Sequence, residues 1–367
     1  MAKAKSKSIN SKILKMGSIA GVQKLNDADC YYICKKFIDT GNYVLNALMS
    51  GEILNGLPVG DIVSFSGDEQ TGKSYILMQT AVSFLKSNPE HVVYYIDSEG
   101  SIIKNFVTDD VVDRFFIIPI TTSEELKFKT AEIVKITTDS KMEGNVLICV
   151  DSLGNLSSEK EIEDVYAGKD KNDMTKAKQL KAFFRIFLNK FRETKIACLV
   201  SNHTYDKIGS FTGGKEQSGG KGSKYGASTI FNLTKSKEKD KAGKQKGILV
   251  KLWFEKTRWV KSNFNGQIAI IWESGINRYS GLLELMESVG VVKKDGTKYV
   301  YKDIIAQKST FRKELKKLLE SDEKELKELN EKIKEKIMLG TKQILQNSEI
   351  LEYDNDSDIE EKDKGEE

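Results

Sequence analysis

Residues Gly67 to Ser74 read Gly-Asp-Glu-Gln-Thr-Gly-Lys-Ser, the spacing G-x-x-x-x-G-K-[ST] of a phosphate-binding loop. In such a loop, backbone N–H groups and the N-terminus of the following helix face the phosphates of a nucleoside triphosphate. Gly67, Asp68, Glu69, Gln70, Thr71, Gly72, Lys73 and Ser74 are therefore the expected cradle for ATP. Lys73 brings a cation to the β- and γ-phosphates, and the Ser74 hydroxyl can ligate Mg²⁺. Without a nucleotide the same residues would be only a Gly-rich turn. The acidic interior, Asp68 and Glu69, suits a triphosphate only if those side chains point away and the backbone does the binding.

Three more residues could complete a hydrolytic site. Asp151 ends the apolar run VLICVD, where a carboxylate can hold the Mg²⁺ shell. Glu99 follows VVYYID-Ser98, and ligands of open α/β sheets sit beyond the carboxyl ends of strands. A carboxylate there can orient and deprotonate an attacking water; the plainer reading is a solvated loop acid. His203, one of two histidines, follows IACLVS-Asn202 and opens a long Gly-rich stretch. It could touch a γ-phosphate and signal to the segment behind it, although a lone histidine is more often structural. His91 is assigned nothing.

These positions require strands that end at one edge of a sheet. DIVSFS (61–66), VVYYID (92–97), FFIIP (115–119), VLICVD (146–151), IACLVS (196–201), TIFNLT (229–234), ILVKLWF (248–254) and IAIIW (268–272) read as strands. Several are apolar throughout, as in a sheet covered on both faces. Leu77, Ala81, Phe84 and Leu85 keep helical spacing after the loop, and Ala177 to Phe191 do so within a helix over about 174–192. Strand-helix alternation predicts an α/β fold with a mostly parallel central sheet and an antiparallel extension. Two polar loops are expected, at about 157–173 and 205–226; the second holds seven of the 28 glycines. After about Ser309 a charged helical region follows, then an acidic tail. Phe37 and the aromatic residues just before it could pack on a neighbouring copy or on their own core.

Composition narrows the class. Hydrophobic residues make up 39% and charged residues 31% of the 367, and no apolar run approaches the ~18 residues of a membrane span. The amino end lacks the apolar segment of a signal peptide, and Cys30, Cys34, Cys149 and Cys198 have no metal-binding spacing, so a reduced cytoplasmic protein is expected. A net charge of +4 conceals asymmetry: five Lys and no acid in the first fifteen residues, eight acids against two Lys in the last fifteen. An acidic tail of this kind is usually solvating; it could also compete for a basic nucleic-acid site.

GDEQTGKS, YYIDSEG, VLICVDSLGNL, SNH, GGKGSKYGAS and GINRYSGLLEL occur in that order, and together the chain resembles the RecA-type recombinases, most of all those of T-even phages. The resemblance covers roughly 46–291. It implies a RecA-like P-loop ATPase core (46–291), a short N-terminal polymerisation segment (1–45), a small helical C-terminal region (292–349) and an acidic tail (350–367). It implies ATP and Mg²⁺, a helical filament on single-stranded DNA, pairing with homologous duplex DNA, and mediator and single-strand-binding partners. It makes Glu99 the base for water attack and His203 the sensor heading the second DNA loop, a place where many bacterial members carry Gln. Lys256 and Arg258 in EKTR match cations that reach the ATP of the next subunit, and Tyr279 matches an aromatic that contacts adenine. The two polar loops match the DNA-contacting loops. Lys215, Gly219, Gly220, Lys221, Gly222 and Lys224 suit close backbone approach to phosphates, and Tyr225 suits stacking on bases. The first loop opens with Glu159, Glu161, Glu163 and Asp164, so Lys169 and Lys171 are its better contacts. A hexameric helicase would share every ATP motif, but only about sixty residues precede the P-loop strand, short for a collar domain. A small-molecule kinase would be expected to carry an Arg-rich lid, where this chain has Lys and Gly.

Overall fold

The computed structural model describes residue 22 and residues 34–100, 102, 106–169, 174–206, 215–217, 226–240 and 242–338. In chain order it forms β1 (Phe37–Ile38), α1 (Tyr43–Ser50), β2 (Leu57–Pro58), β3 (Ile62–Gly67), α2 (Lys73–Ser87), β4 (Val92–Asp97), β5 (Phe115–Pro119), α3 (Ser123–Asp139), β6 (Val146–Asp151), α4 (Glu159–Tyr166), α5 (Thr175–Thr194) and β7 (Ala197–Asp206). There follow β8 (Lys215–Gln217), β9 (Thr229–Lys239), β10 (Gln245–Lys256), β11 (Asn265–Ile271), β12 (Gly275–Ile276), α6 (Leu282–Ser288), β13 (Lys293–Asp295), β14 (Lys298–Tyr301), β15 (Ile304–Gln307), α7 (Lys308–Ser321) and α8 (Glu323–Ile337).

β3 and β6 are buried along their whole length, Ser64, Ser66 and Asp151 included. They lie inside a sheet ordered β12-β11-β10-β9-β3-β7-β6-β4-β5. Every pairing from β9 to β5 is parallel. β9, β10, β11 and β12 pair antiparallel, the expected extension. Residue alternation sends neighbours to opposite faces. Tyr95, Cys149 and Leu199 join the core under α1 and α2, while Ile96, Ile148 and Cys198 join the core under α3 and α5. Cys149 and Cys198 are thus free, buried thiols on opposite faces of the sheet.

The first polar loop needs correction. Residues 159–166 form α4, started by a capping box in which Ser158 accepts from the Glu161 N–H and the Glu161 carboxylate accepts from the Ser158 N–H. Two of the acids that argued against phosphate contact, Glu159 and Glu161, lie in the first turn and favour the helix N-terminus. The charged C-terminal region begins with a three-stranded antiparallel sheet, β13 to β15, ahead of the expected helices. The apolar stripe of α7 and α8 (Phe311, Leu315, Leu319, Leu329, Ile333, Ile337) is spent on the chain's own core. Asn330 accepts from the Leu54 N–H at 3.2 Å, and Lys334 pairs with Glu52 at 2.8 Å. Phe37 likewise packs at home, edge-on to Trp259 at 5.7 Å. Cys30 and the three residues after it, and the acidic tail, lie outside the described residues.

His91 stacks on Phe84 with ring centroids 3.8 Å apart, and its Nδ1 meets the Phe84 carbonyl at 2.8 Å. Its Nε2 is buried with no hydrogen-bond partner among the described residues. Burial holds its pKa below the usual histidine value. The unfolded chain therefore binds a proton that the folded chain refuses. Stability present above the unfolded value of about 6.5 is lost as pH falls towards the lower folded value. Urea midpoints should drop between pH 7.5 and 5.5, and His91→Asn should flatten that drop. Parallel pH curves for the two proteins would remove His91 from the account.

Candidate functional site

Strand register assembles the site. Parallel pairing sets Gly67 beside His203 and Asp97 beside Asp151. Because β3, β7, β6 and β4 are consecutive in the sheet, their carboxyl ends bring the phosphate loop, His203, Asp151 and Glu99 to one edge. This is the edge where open α/β sheets bind ligands.

The loop runs straight from β3 into α2. Gly72 has φ +88, and a side chain there would strike Ile270, with its Cβ 2.4 Å from Cδ1, so glycine is required twice over. No side chain caps α2 at Gly72, which leaves its first-turn N–H groups free to face an anion. Lys73 is the first residue of α2, and its Nζ donates to the carbonyls of Gly67 (3.0 Å) and Asp68 (2.8 Å). Burial lowers the Lys73 pKa, while the charges of Glu99, Asp151, Asp68 and Glu69 oppose that fall. Asp68, Glu69 and Gln70 are exposed, as a backbone-binding loop with outward side chains requires. Asp68 accepts from the Thr204 hydroxyl at 3.0 Å, and Lys235 donates to the Glu69 carbonyl at 3.0 Å.

Asp151 is fully buried, and its carboxylate accepts from the Tyr95 hydroxyl at 2.7 Å and from the Ser201 hydroxyl. Burial pushes the Tyr95 phenol far up, so it remains a donor. Among the described residues no group of three or more His, Cys, Asp or Glu is placed to hold a metal. The donor set fits Mg²⁺ all the same, since that ion takes one or two protein oxygens and completes its shell with phosphates and water. Ser74 and Asp151 are the residues that would hold it.

Glu99 stands on a turn fixed by Asp97, whose Oδ1 accepts from the N–H groups of Glu99 (2.9 Å) and Gly100 (3.0 Å). Its Oε1 lies 2.5 Å from His203 Nε2. That hydrogen bond, ahead of its other contacts, lowers the Glu99 pKa. The carboxylate is therefore held in its charged form and tied to His203.

Lys256 and Arg258 lie elsewhere. Lys256 is in register with Ile230, which pairs with Ser64 in the middle of β3. The neighbouring Trp259 donates through Nε1 to Asp61 at 3.2 Å, just before β3 begins. Ser64 lies three residues before Gly67, about 10 Å at ~3.3 Å per residue, and β9 lies between β10 and β3 in the sheet. Tyr279 packs edge-on against Tyr43 at 5.3 Å, with Lys316 Nζ 5.8 Å from its ring centre. Lys169 is exposed beyond α4, and Lys215 opens β8, which pairs with β7. Lys171, Gly219, Gly220, Lys221, Gly222, Lys224 and Tyr225 lie outside the described residues.

Sequence reading missed several participants. Tyr95 and Ser201 stand two residues before Asp97 and His203, and strand alternation could have flagged them. The β9–β10 hairpin exposes Lys235, Lys237, Lys239, Lys244 and Lys246, a charge run visible in TKSKEKDKAGKQKG. Tyr166, at the end of α4, is 87% exposed.

The family model of the RecA N-terminal domain matches residues 6–277. The chain belongs to the RecA family. A recombination and repair protein of Enterobacteria phage T4 is 32% identical over 262 residues, which is 71% of this chain and 66% of that protein. The protein RecA of Tropheryma whipplei (strain Twist) is 24% identical over 290 residues, 77% of this chain and 62% of its own. The protein RecA of Ureaplasma parvum serovar 3 is 26% identical over 309 residues, 80% of this chain and 87% of its own. The chain thus spans a little under two thirds of the length of the first two relatives. Its mostly parallel α/β sheet is the RecA-family core, and among the described residues no helix is long and apolar enough to cross a membrane.

Proposed function

We propose that the chain is an ATP-dependent DNA strand-exchange recombinase. It forms a helical filament on single-stranded DNA and pairs that strand with homologous duplex in recombination, repair and recombination-dependent replication. The observation that carries this reading is the 2.5 Å contact between Glu99 and His203. It joins the base expected to activate water to the first residue of the segment expected to hold DNA. Nucleotide state and DNA affinity then bias one another, as any two linked sites must.

In this reading residues 67–74 hold the triphosphate, and Tyr279 lies against adenine. Ser74 and Asp151 would hold Mg²⁺, which would supply charge neutralisation for the phosphates. Glu99 takes the proton of the attacking water. Lys256 and Arg258 act on the nucleotide of the adjacent copy, a reading supported by the register of Lys256 with Ile230 and Ser64, back from the carboxyl edge of the sheet. The assembly surface has a physical candidate. β5 is an edge strand with Phe116 46% and Ile117 52% exposed. Open apolar edges invite another strand, and a second copy in a filament would cover this one.

DNA is held by Lys169, Lys171, Lys215, Lys221 and Lys224, by backbone at Gly219, Gly220 and Gly222, and by stacking on Tyr225. The lysines of the β9–β10 hairpin offer a further phosphate-binding stripe for duplex. The segments 1–45, 46–291, 292–349 and 350–367 serve as polymerisation segment, ATPase core, C-terminal region and acidic tail. Mediator and single-strand-binding proteins are the expected partners, and the cytoplasm of a host cell is the expected place.

The test is ATP turnover with and without single-stranded DNA, alongside negative-stain images. Turnover should rise several-fold with DNA, and open helical filaments should form. Turnover indifferent to DNA, or closed rings, would overturn the proposal.

A further inference from the structure

We infer that Gly154 is a positioning residue for His203, and that it lets the first loop, as well as the second, register the state of the nucleotide site. The inference rests on the role proposed for His203 and goes beyond it.

Gly154 lies three residues past Asp151, where the chain leaves β6 for α4. It is not among the glycines with positive φ, so its backbone conformation is open to any L residue. What excludes a side chain is His203. A Cβ at Gly154 would lie 2.5 Å from the His203 Cδ2 and 3.2 Å from both its Cβ and its Cγ. The imidazole is thus pinned between the Glu99 carboxylate on one side and the Gly154 backbone on the other.

The loop at Gly154 cannot easily retreat. Leu153 is fully buried, and its N–H donates to the Ser201 carbonyl at 3.0 Å. Leu156 is 2% exposed. The Gly154 carbonyl accepts from Lys176 Nζ at 2.6 Å. Lys176 stands in the first turn of α5, and burial lowers its pKa while the charge of Glu161 on α4 opposes that fall. The peptide at Gly154 therefore joins the His203 ring to α5 and, through the charge interaction of Lys176 with Glu161, to α4 within the first loop. A ring displaced when Glu99 turns toward its water must press on this peptide or leave it. A methyl group at 154 would hold the ring out of line with Glu99 from the start.

The experiment compares Gly154→Ala, His203→Gln and the double variant, all in the full-length chain. The chain has two histidines, so imidazole NMR signals resolve into His91 and His203. Gly154→Ala should move the His203 signals and leave those of His91 in place. It should lower DNA-stimulated kcat about tenfold to a hundredfold, the range a misplaced catalytic group costs, with KM for ATP little changed. In the His203→Gln background, which has no ring atom at the point of contact, Gly154→Ala should add almost nothing. Unmoved His203 signals, or the same loss in both backgrounds, would overturn the inference. If instead His203→Ala, which leaves no polar group to meet Glu99, kept DNA stimulation intact, the sensor role itself would fail. The NMR result would still decide whether Gly154 places the ring.

Discussion

Glu99→Gln should leave ATP bound and filaments assembled on single-stranded DNA while turnover falls about 10²- to 10⁴-fold, the usual contribution of a general base. The amide keeps the shape of the carboxylate and its fit against His203. It cannot accept the proton of an attacking water. Binding should survive because it depends on the N–H groups at the start of α2 and on Lys73, neither of which the substitution touches. Nucleotide affinity and steady-state hydrolysis, measured on the same preparation, separate the two. Loss of both together would make Glu99 a structural residue. The pH dependence adds a signature. The His203 hydrogen bond holds the Glu99 carboxyl below its ordinary value, so the charged, active form persists into mildly acid solution. Removing the donor in His203→Ala destabilises that charged form and raises the pKa. The acid limb of DNA-independent hydrolysis should therefore shift to higher pH, and an unshifted limb would detach the two residues.

Arg258→Ala, alone or with Lys256→Ala, should lower turnover about 10³-fold or more, as loss of a trans-acting cation does elsewhere in phosphoryl transfer. The sharper expectation concerns mixtures. Lys256 and Arg258 stand back from the carboxyl edge of the sheet and Glu99 stands beyond the end of β4. A site shared between copies can then draw one set from each. Mixing inactive Glu99→Gln chains with inactive Arg258→Ala chains should restore activity. Random assembly of equal amounts leaves about a quarter of the composite sites intact, provided the cation acts in trans. A mixture no more active than its parts would confine both residues to their own chain. Melting temperature is the control, because Lys256 neighbours the Asp61–Trp259 hydrogen bond that closes this end of the sheet.

The legible parts of this chain were those encoded by local spacing. The phosphate loop is a contiguous string whose glycines and lysine do their work within one turn, so it could be read without the fold. The apolar strands and the 3.6-residue stripe of α5 were equally plain, since burial on a sheet or a helix face imposes a period on the chain. α4 was hidden by its charge, although its Ser158-to-Glu161 capping box was there to be read. Family likeness supplied Lys256, Arg258 and Tyr279, which their own surroundings in sequence did not distinguish.

Distance across the sheet was another matter. Glu99 and His203 are 104 residues apart and meet at 2.5 Å only because β4, β6, β7 and β3 lie side by side in parallel register. The same register sets Lys256 level with Ser64 in the middle of β3, back from the carboxyl edge where Glu99 and His203 meet. Gly154 looked like any loop glycine until the His203 ring was found against it. The sequence by itself determined which side chains could bind a triphosphate and activate water, because those chemistries depend on residue type and short spacing. The tertiary structure decided which of them share a site, because strand order and pairing direction are settled by long-range burial that no local period records.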